Sequence, residues 1–205
     1  MATEPKETPL PPTSADDGAV RAIVGAVRRG DREVFARLVE LYQSRIFGLA
    51  LMIVRDRSGA EEVSQDAFVR AFTKLEFYDE RRPFYPWLAT ITVRLAQNWL
   101  TRSSRLKTRE GVSLETASEP AASTDPLGNL ISDESDRRLW RSVAALPEGE
   151  RMVVILYYRQ EMKVNDVARA LGVTAGTVKT LLFRARRRLR GCVQDQIEQR
   201  GGESK

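Results

Sequence analysis

The stretch GVTAGTVKTLLFRARRRLR, residues 172–190, constrains this chain more than any other. Gly172 supplies the permissive backbone that a tight turn between helices needs. Thr174 has the chemistry of a helix N-cap. Upstream, Val164, Val167, Ala168 and Leu171 recur at helical spacing, which predicts a short helix entering that turn. At 100° per residue, Val178, Leu182, Ala185 and Leu189 share one face of the following helix, the core side. Lys179, Thr180, Phe183, Arg184, Arg187 and Arg190 fall on the opposite face. Two short helices meeting at a glycine, the second basic outside and apolar inside, predict a helix-turn-helix. In a major groove, arginines on that face can read guanine or hold phosphate, and an exposed Phe183 can meet thymine methyls or base edges.

The totals agree with a polyanionic partner but do not demand one. The net charge is +5 over 205 residues, a modest excess whose distribution matters more than its sum. There is no histidine and a single cysteine, Cys192. This excludes Cys/His zinc sites, nucleophilic catalysis with a histidine base and an internal disulfide, and it fits a reducing cytoplasm. Cys192 reads as a structural thiol. No catalytic carboxylate set is recognisable, so the chain reads as a non-enzyme with no cofactor and no metal. No apolar run approaches the roughly 20 residues of a membrane span, and the N-terminus lacks a signal-peptide pattern.

Composition divides the chain into five parts. Residues 1–16 are rich in Pro, Thr and Glu and read as a disordered tail. Residues 17–103 form a first helical module. Val34, Leu38, Leu41, Tyr42 and Ile46 make one apolar stripe, with Asp31 placed to cap it. Ser58 and Glu61 read as a capping box for the next helix, and Pro83 as the first residue of the one after. Residues 104–133 have the composition of a flexible acidic linker. Residues 134–194 form a second helical module containing the helix-turn-helix. In it Leu139, Val143 and Leu146 make an apolar stripe, and a further helix opens at Pro147 with Glu148 and Glu150 at its positive end. Residues 195–205 are a polar tail. The predicted fold is all-α: two small helical domains on a tether.

The segment RRPFYPWLATITVRLAQNWLTRSSR carries a second candidate surface. Leu88, Ile91, Thr92, Leu95 and Trp99 form its buried arc. Trp87, Arg94, Gln97, Asn98, Thr101 and Arg105 form its polar arc. An indole among Arg, Asn and Gln suits stacking on nucleic acid, and the loop before it offers Phe77 and Tyr78. The same aromatics would equally cover a small core.

At these residues the chain resembles a known family. The segment from Ser58 to Arg102 is similar to region 2 of sigma-70-type bacterial sigma factors, and Leu146–Arg190 is similar to region 4. With no region 3 between them, the chain resembles the extracytoplasmic-function (ECF) group. The resemblance implies that Glu61, Glu62, Gln65, Asp66, Phe68 and Arg70 dock on the β′ clamp of RNA polymerase, and that the β flap covers part of region 4. It implies that Tyr78 helps capture an unpaired base of the −10 element, with Trp87, Arg94, Gln97, Asn98, Thr101 and Arg105 along the strand. It implies that Lys179, Thr180, Phe183, Arg184 and Arg187 read the −35 element. Partners are then core RNA polymerase, promoter DNA and an anti-sigma factor. Arg94 and Asn98 stand where many relatives have Asn and Asp. Leu181 stands where some have a basic residue, at the edge of the apolar arc.

A tether makes the second binding event intramolecular, which raises avidity by about 10² to 10⁴ where geometry permits. A coil of about 30 residues spans near 30 Å on average and about 100 Å fully extended, so reading two separated elements stretches it. The linker acids are further expected to occupy a basic channel until nucleic acid enters. Two other readings stay open on the residues alone: a helix-turn-helix regulator acting on duplex operator DNA without polymerase, and a protein-interaction adaptor with a merely solvated basic helix.

Overall fold

The computed structural model describes the backbone of residues 14–109 and 134–202, and side chains within 18–105 and 139–190. The described residues form eight α-helices and no strand: α1 (Ser14–Arg28), α2 (Phe35–Val54), α3 (Arg57–Thr73), α4 (Phe84–Arg109), α5 (Glu134–Ala144), α6 (Glu148–Val154), α7 (Val164–Leu171) and α8 (Ala175–Gly202). A 3₁₀ turn, Leu75–Phe77, lies between α3 and α4, and a π-helical turn, Ile155–Arg159, continues α6.

Helices α2, α3 and α4 pack into a bundle with α1 against α2. Leu38, Tyr42, Ile46 and Leu49 of α2, Val63 and Ala67 of α3, and Leu88 and Val93 of α4 fill its centre. Burying a Leu or Val fully contributes about 1.5–3 kcal/mol relative to exposure, so this apolar set fixes the bundle. Leu41, expected in the α2 stripe, is 55% exposed. It follows Glu40 at the stripe's edge, and no neighbouring helix reaches over it to bury it.

The helix ends correct several sequence expectations. Asp31 does not cap α2: Val34 holds the N-cap position without a side-chain bond. The cap of α3 is Asp56, whose carboxylate accepts from the Gly59 N–H at 2.6 Å, so Ser58 and Glu61 lie inside the helix rather than framing it. Pro83 and Pro147 each stand one residue before their helix. Helix α4 runs past Ser104 to Arg109, and α8 runs past Gln194 to Gly202. The proposed linker beyond residue 109, residues 1–13 of the N-terminal tail and the Cys192 side chain lie outside the described residues, while the tail's last three residues, Ser14–Asp16, begin α1.

In the second half, α5 packs on α6 and α8 around Val143, Leu146, Val154 and Ala185. Leu139 is partly exposed. Glu150, at the positive end of α6 as expected, is buried, and its Oε2 sits 3.0 Å from Arg188 Nε, tying α6 to α8. Gly172 ends α7 in the left-handed region at φ 67°, as the turn required. Thr174 Oγ1 accepts from the Thr177 N–H at 3.1 Å and starts α8.

The two halves share a seam. Helix α4 packs along α7, and one apolar cluster runs from the bundle into α6 and α7 through Met152, Leu156, Val167 and Ala170. Polar groups stitch the seam's edge. Arg45 Nη2 donates to the Gln160 carbonyl at 2.7 Å, and its guanidinium lies 3.6 Å from the Tyr85 ring centroid. The Tyr85 hydroxyl donates to Gln160 Oε1. Arg55 Nη2 donates to the Ala144 carbonyl at 2.5 Å. Burial lowers the Arg55 guanidinium below its ordinary value. Burial, then the nearby Arg55 charge, does the same to Arg151.

Candidate nucleic-acid interface

Helix α8 presents two different sides. Val178, Leu182 and Ala185 are buried and Leu189 is half-buried, as the wheel predicts. Lys179, Thr180, Phe183, Arg184, Arg187 and Arg190 are all exposed, Phe183 by 65%. The basic residues of this helix divide the same way. Arg186 Nε donates to the Tyr158 hydroxyl at 2.6 Å, and Arg188 pairs with buried Glu150. Among the described residues, Lys179, Arg184 and Arg187 make no ion pair, so their charges point outward uncompensated. Leu181 is half-buried; a Cβ placed on Gly149 would lie 3.8 Å from its Cδ2, so Leu181 faces α6 and leaves the outer strip.

Helix α4 carries the second surface. Trp87, Arg94, Asn98, Thr101 and Arg105 follow one another at intervals of seven, four, three and four residues. That spacing keeps them in one line along a helix. Arg94, Asn98, Thr101 and Arg105 are exposed, while Trp87 and Gln97 are half-buried. The opposite side of α4, with Tyr85, Ala89, Thr92, Val93 and Ala96, is buried. Ile91, Leu95 and Trp99, expected in the buried arc with Leu88 and Thr92, are only half-buried at its margin.

The turn before α4 differs from expectation. Tyr78, assigned to capture of an unpaired base, is only 4% exposed. Its hydroxyl donates to the Arg82 carbonyl, and its ring packs 5.2 Å from Phe84 and 5.1 Å from Trp87 between centroids. Tyr78 is therefore part of the floor under Trp87. The exposed aromatic of the turn is Phe77, at 75%. Leu75 and Tyr78, before and after it in the turn, are both buried. At the turn's exit, the Arg81 guanidinium hydrogen-bonded to Asp79 holds that carboxyl below the usual carboxylate range.

The outer side of α3 shows Glu61, Glu62, Gln65, Asp66 and Arg70, all exposed, with Val69 exposed among them. Phe68 is buried in the bundle, so it serves the core rather than a docking face. Two of the acids have internal partners. Arg57 Nε donates to Glu61 Oε1 at 3.1 Å one turn away. Glu62 accepts from Trp99 Nε1 at 2.9 Å and from Arg102 Nη2 at 3.0 Å, joining α3 to α4.

A helix-turn-helix with an unpaired basic outer strip, packed on a helical bundle whose α4 carries exposed Arg94, Asn98, Thr101 and Arg105 behind a half-buried Trp87, has the form of a DNA-binding protein. The family model for sigma-70 region 2 matches residues 38–106, and that for sigma-70 region 4 matches residues 136–189. Together they cover more than half of the chain, and it belongs to the sigma-70 family of RNA polymerase sigma factors, within its ECF group. The chain is 29% identical over 180 residues to the ECF RNA polymerase sigma-E factor of Haemophilus influenzae, covering 85% of this chain and 95% of that one. It is 34% identical over 163 residues to a protein of Xanthomonas campestris pv. campestris named as the probable RNA polymerase sigma factor RfaY. That match covers 78% of this chain and 40% of the longer relative. Among solved structures, CnrH in complex with the cytosolic domain of CnrY shares the fold, with a TM-score of 0.59 at 21% identity over 85% of this chain and 97% of that one. Among the described residues, no helix is long and apolar enough to cross a membrane.

Proposed function

We propose that this chain is a promoter-specificity subunit acting in the cytoplasm, binding rather than catalysing. It joins core RNA polymerase, reads the −35 element with α8 and holds the opened −10 strand along α4. Bond formation belongs to the polymerase. The observation that carries this reading is the split among the basic residues of α8. Arg186 and Arg188 are spent on the protein's own Tyr158 and Glu150, while Lys179, Arg184 and Arg187 stay exposed beside Thr180 and Phe183. A merely solvated basic helix has no reason to separate its cations in this way.

For the −10 strand, the line Trp87, Arg94, Asn98, Thr101 and Arg105 supplies an aromatic at its head and donors along its length, with Gln97 at its flank. Tyr78 acts here by supporting Trp87 from below. For polymerase, the outer side of α3 offers Glu61, Gln65, Asp66 and Arg70 around an exposed Val69, which suits a basic, partly apolar clamp surface. Glu62 contributes chiefly by bracing α4. An anti-sigma partner is expected as well, since the sigma factor RpoE of Bartonella quintana, which shares the fold, is in complex with the anti-sigma factor NepR.

The deciding experiment is run-off transcription by purified core polymerase with this chain on a promoter library. Transcripts from a defined subset sharing two spaced elements support the reading. Tight duplex binding with no polymerase co-purification overturns it.

A further inference from the structure

The two tied arginines of α8 border its outer strip directly. Arg188 follows Arg184 by four residues, which makes the two neighbours on the helix surface. Arg186 stands in the same relation to Arg190. At about 100° per residue, Arg186 and Arg188 fall on the two opposite flanks of the strip. Both residues are exposed. Left free, each would stand within reach of the same phosphate backbone that the strip meets. A phosphate contact adds affinity but carries no sequence information. It also makes binding fall more steeply with salt.

Neither arginine is free, and both holds come from the segment that precedes the helix-turn-helix. Glu150, in the first turn of α6, is 5% exposed. Its carboxylate lies 3.0 Å from Arg188 Nε through Oε2 and 3.4 Å through Oε1. Without this partner the buried carboxylate would be left charged and uncompensated, so the pair resists release. On the other flank, the Tyr158 hydroxyl accepts from Arg186 Nε at 2.6 Å, and the guanidinium carbon lies 5.6 Å from the Tyr158 ring centroid. Tyr157 meets that ring edge-on at 4.9 Å and steadies it. This second hold is the weaker one, because a phenol is neutral.

We propose that Glu150 and Tyr158 set the width of the DNA-facing strip by withholding Arg188 and Arg186 from the phosphate backbone. This rests on the sigma-factor reading of α8 above. The helix then meets a duplex with Lys179, Arg184, Arg187 and Arg190 as its only cations among the described residues. The protein's own acceptors thereby cap the part of its affinity that is blind to sequence. Base edges, and whatever holds the chain to its promoter from the protein side, carry correspondingly more of the binding.

The test uses the full chain and two labelled duplexes. One carries the −35 element of the promoter best transcribed in the library, and the other has that element scrambled. Glu150→Gln and Tyr158→Phe are each expected to bind both duplexes more tightly, with log affinity falling more steeply against log salt by about 0.9. The gain should shrink about threefold between about 50 and 200 mM salt. Preference for the matched duplex should stay as in the wild type. Adding Arg188→Gln to the first variant, or Arg186→Gln to the second, should restore wild-type affinity and slope. An unchanged slope for Glu150→Gln overturns the proposal, and one for Tyr158→Phe removes Tyr158 from it. Weaker binding by Glu150→Gln also overturns it, since Glu150 would then serve only the packing of α8. So do loss of the matched preference and a gain that survives removal of the arginine. Transcripts with unchanged slopes sink this proposal alone. No transcript from any library member removes the sigma-factor reading and this one with it.

Discussion

The hydroxyl of Tyr85, on the bundle helix α4, donates to the side-chain oxygen of Gln160, just past the π turn that ends α6. Both residues are buried, and Arg45 reaches the same glutamine from α2. This small polar knot locks the edge of an otherwise apolar seam. Gln160→Ala leaves the Tyr85 hydroxyl without its acceptor and removes the weaker Arg45 Nε bond, while Arg45 Nη2 keeps the backbone carbonyl, a loss of about 1–3 kcal/mol. The expected result is a lower urea midpoint together with a larger radius of gyration by small-angle scattering. An unchanged radius would mean that the apolar contacts of α4 with α7 close the seam by themselves.

Burial raises the Tyr85 phenol well above its ordinary value, with the nearby Arg45 charge opposing only in part. The folded state therefore holds the proton more tightly than the unfolded chain. Stability is complete below the unfolded tyrosine value, near 10, and falls as pH rises beyond it. Urea unfolding between about pH 9 and 11 should show that decline, and Tyr85→Phe should flatten it. A parallel decline in both proteins would assign the effect to other groups.

Gly59 marks a close approach of α3 to Trp99 of α4 and to Val54 at the end of α2. A Cβ there would fall 2.4 Å from Trp99 Cζ2 and 2.8 Å from Val54 Cγ1. Both neighbours are held, Trp99 by its bond to Glu62 and Val54 by burial. Gly59→Ala should destabilise by about 1–3 kcal/mol, the usual penalty of overpacking. Thermal unfolding measures it, and wild-type stability would show that α3 can slide away from α4.

Arg184 stands exposed and unpaired in the middle of the outer strip of α8. Arg184→Ala should remove about 1–3 kcal/mol of discrimination at one −35 position if the contact is a bidentate base pair. Competition between matched and mismatched −35 duplexes checks this. A uniform loss across sequences, with a shallower salt dependence, would identify a phosphate contact instead.

What could be read in advance was local. The helix-turn-helix rests on a left-handed Gly172, a Thr174 cap and an apolar period, all set within a few residues of each other. The division of α8 into inner and outer sides follows from the same period. What escaped depends on contacts between distant segments. Which of Phe77 and Tyr78 turns inward is decided by Arg28, about fifty residues earlier, and by the ring of Trp87. Phe68 and Leu41 exchange their expected surroundings because helix neighbours, not wheel angles, decide burial at the margin of a stripe. The seam was invisible because its key residue, Gln160, is polar and reaches its place through a π turn that no apolar pattern announces. Ser58 and Asp56 are both good capping residues two positions apart, and only the path of the chain after Arg55, at φ 60°, selects the aspartate.

The bond pair from Glu62 to Trp99 and Arg102 has a mechanical meaning. It links α3 to the far half of α4 through two side-chain bonds at the surface. A displacement of the outer side of α3 would thus be felt at Trp99 and Arg102, one turn from the exposed line of α4.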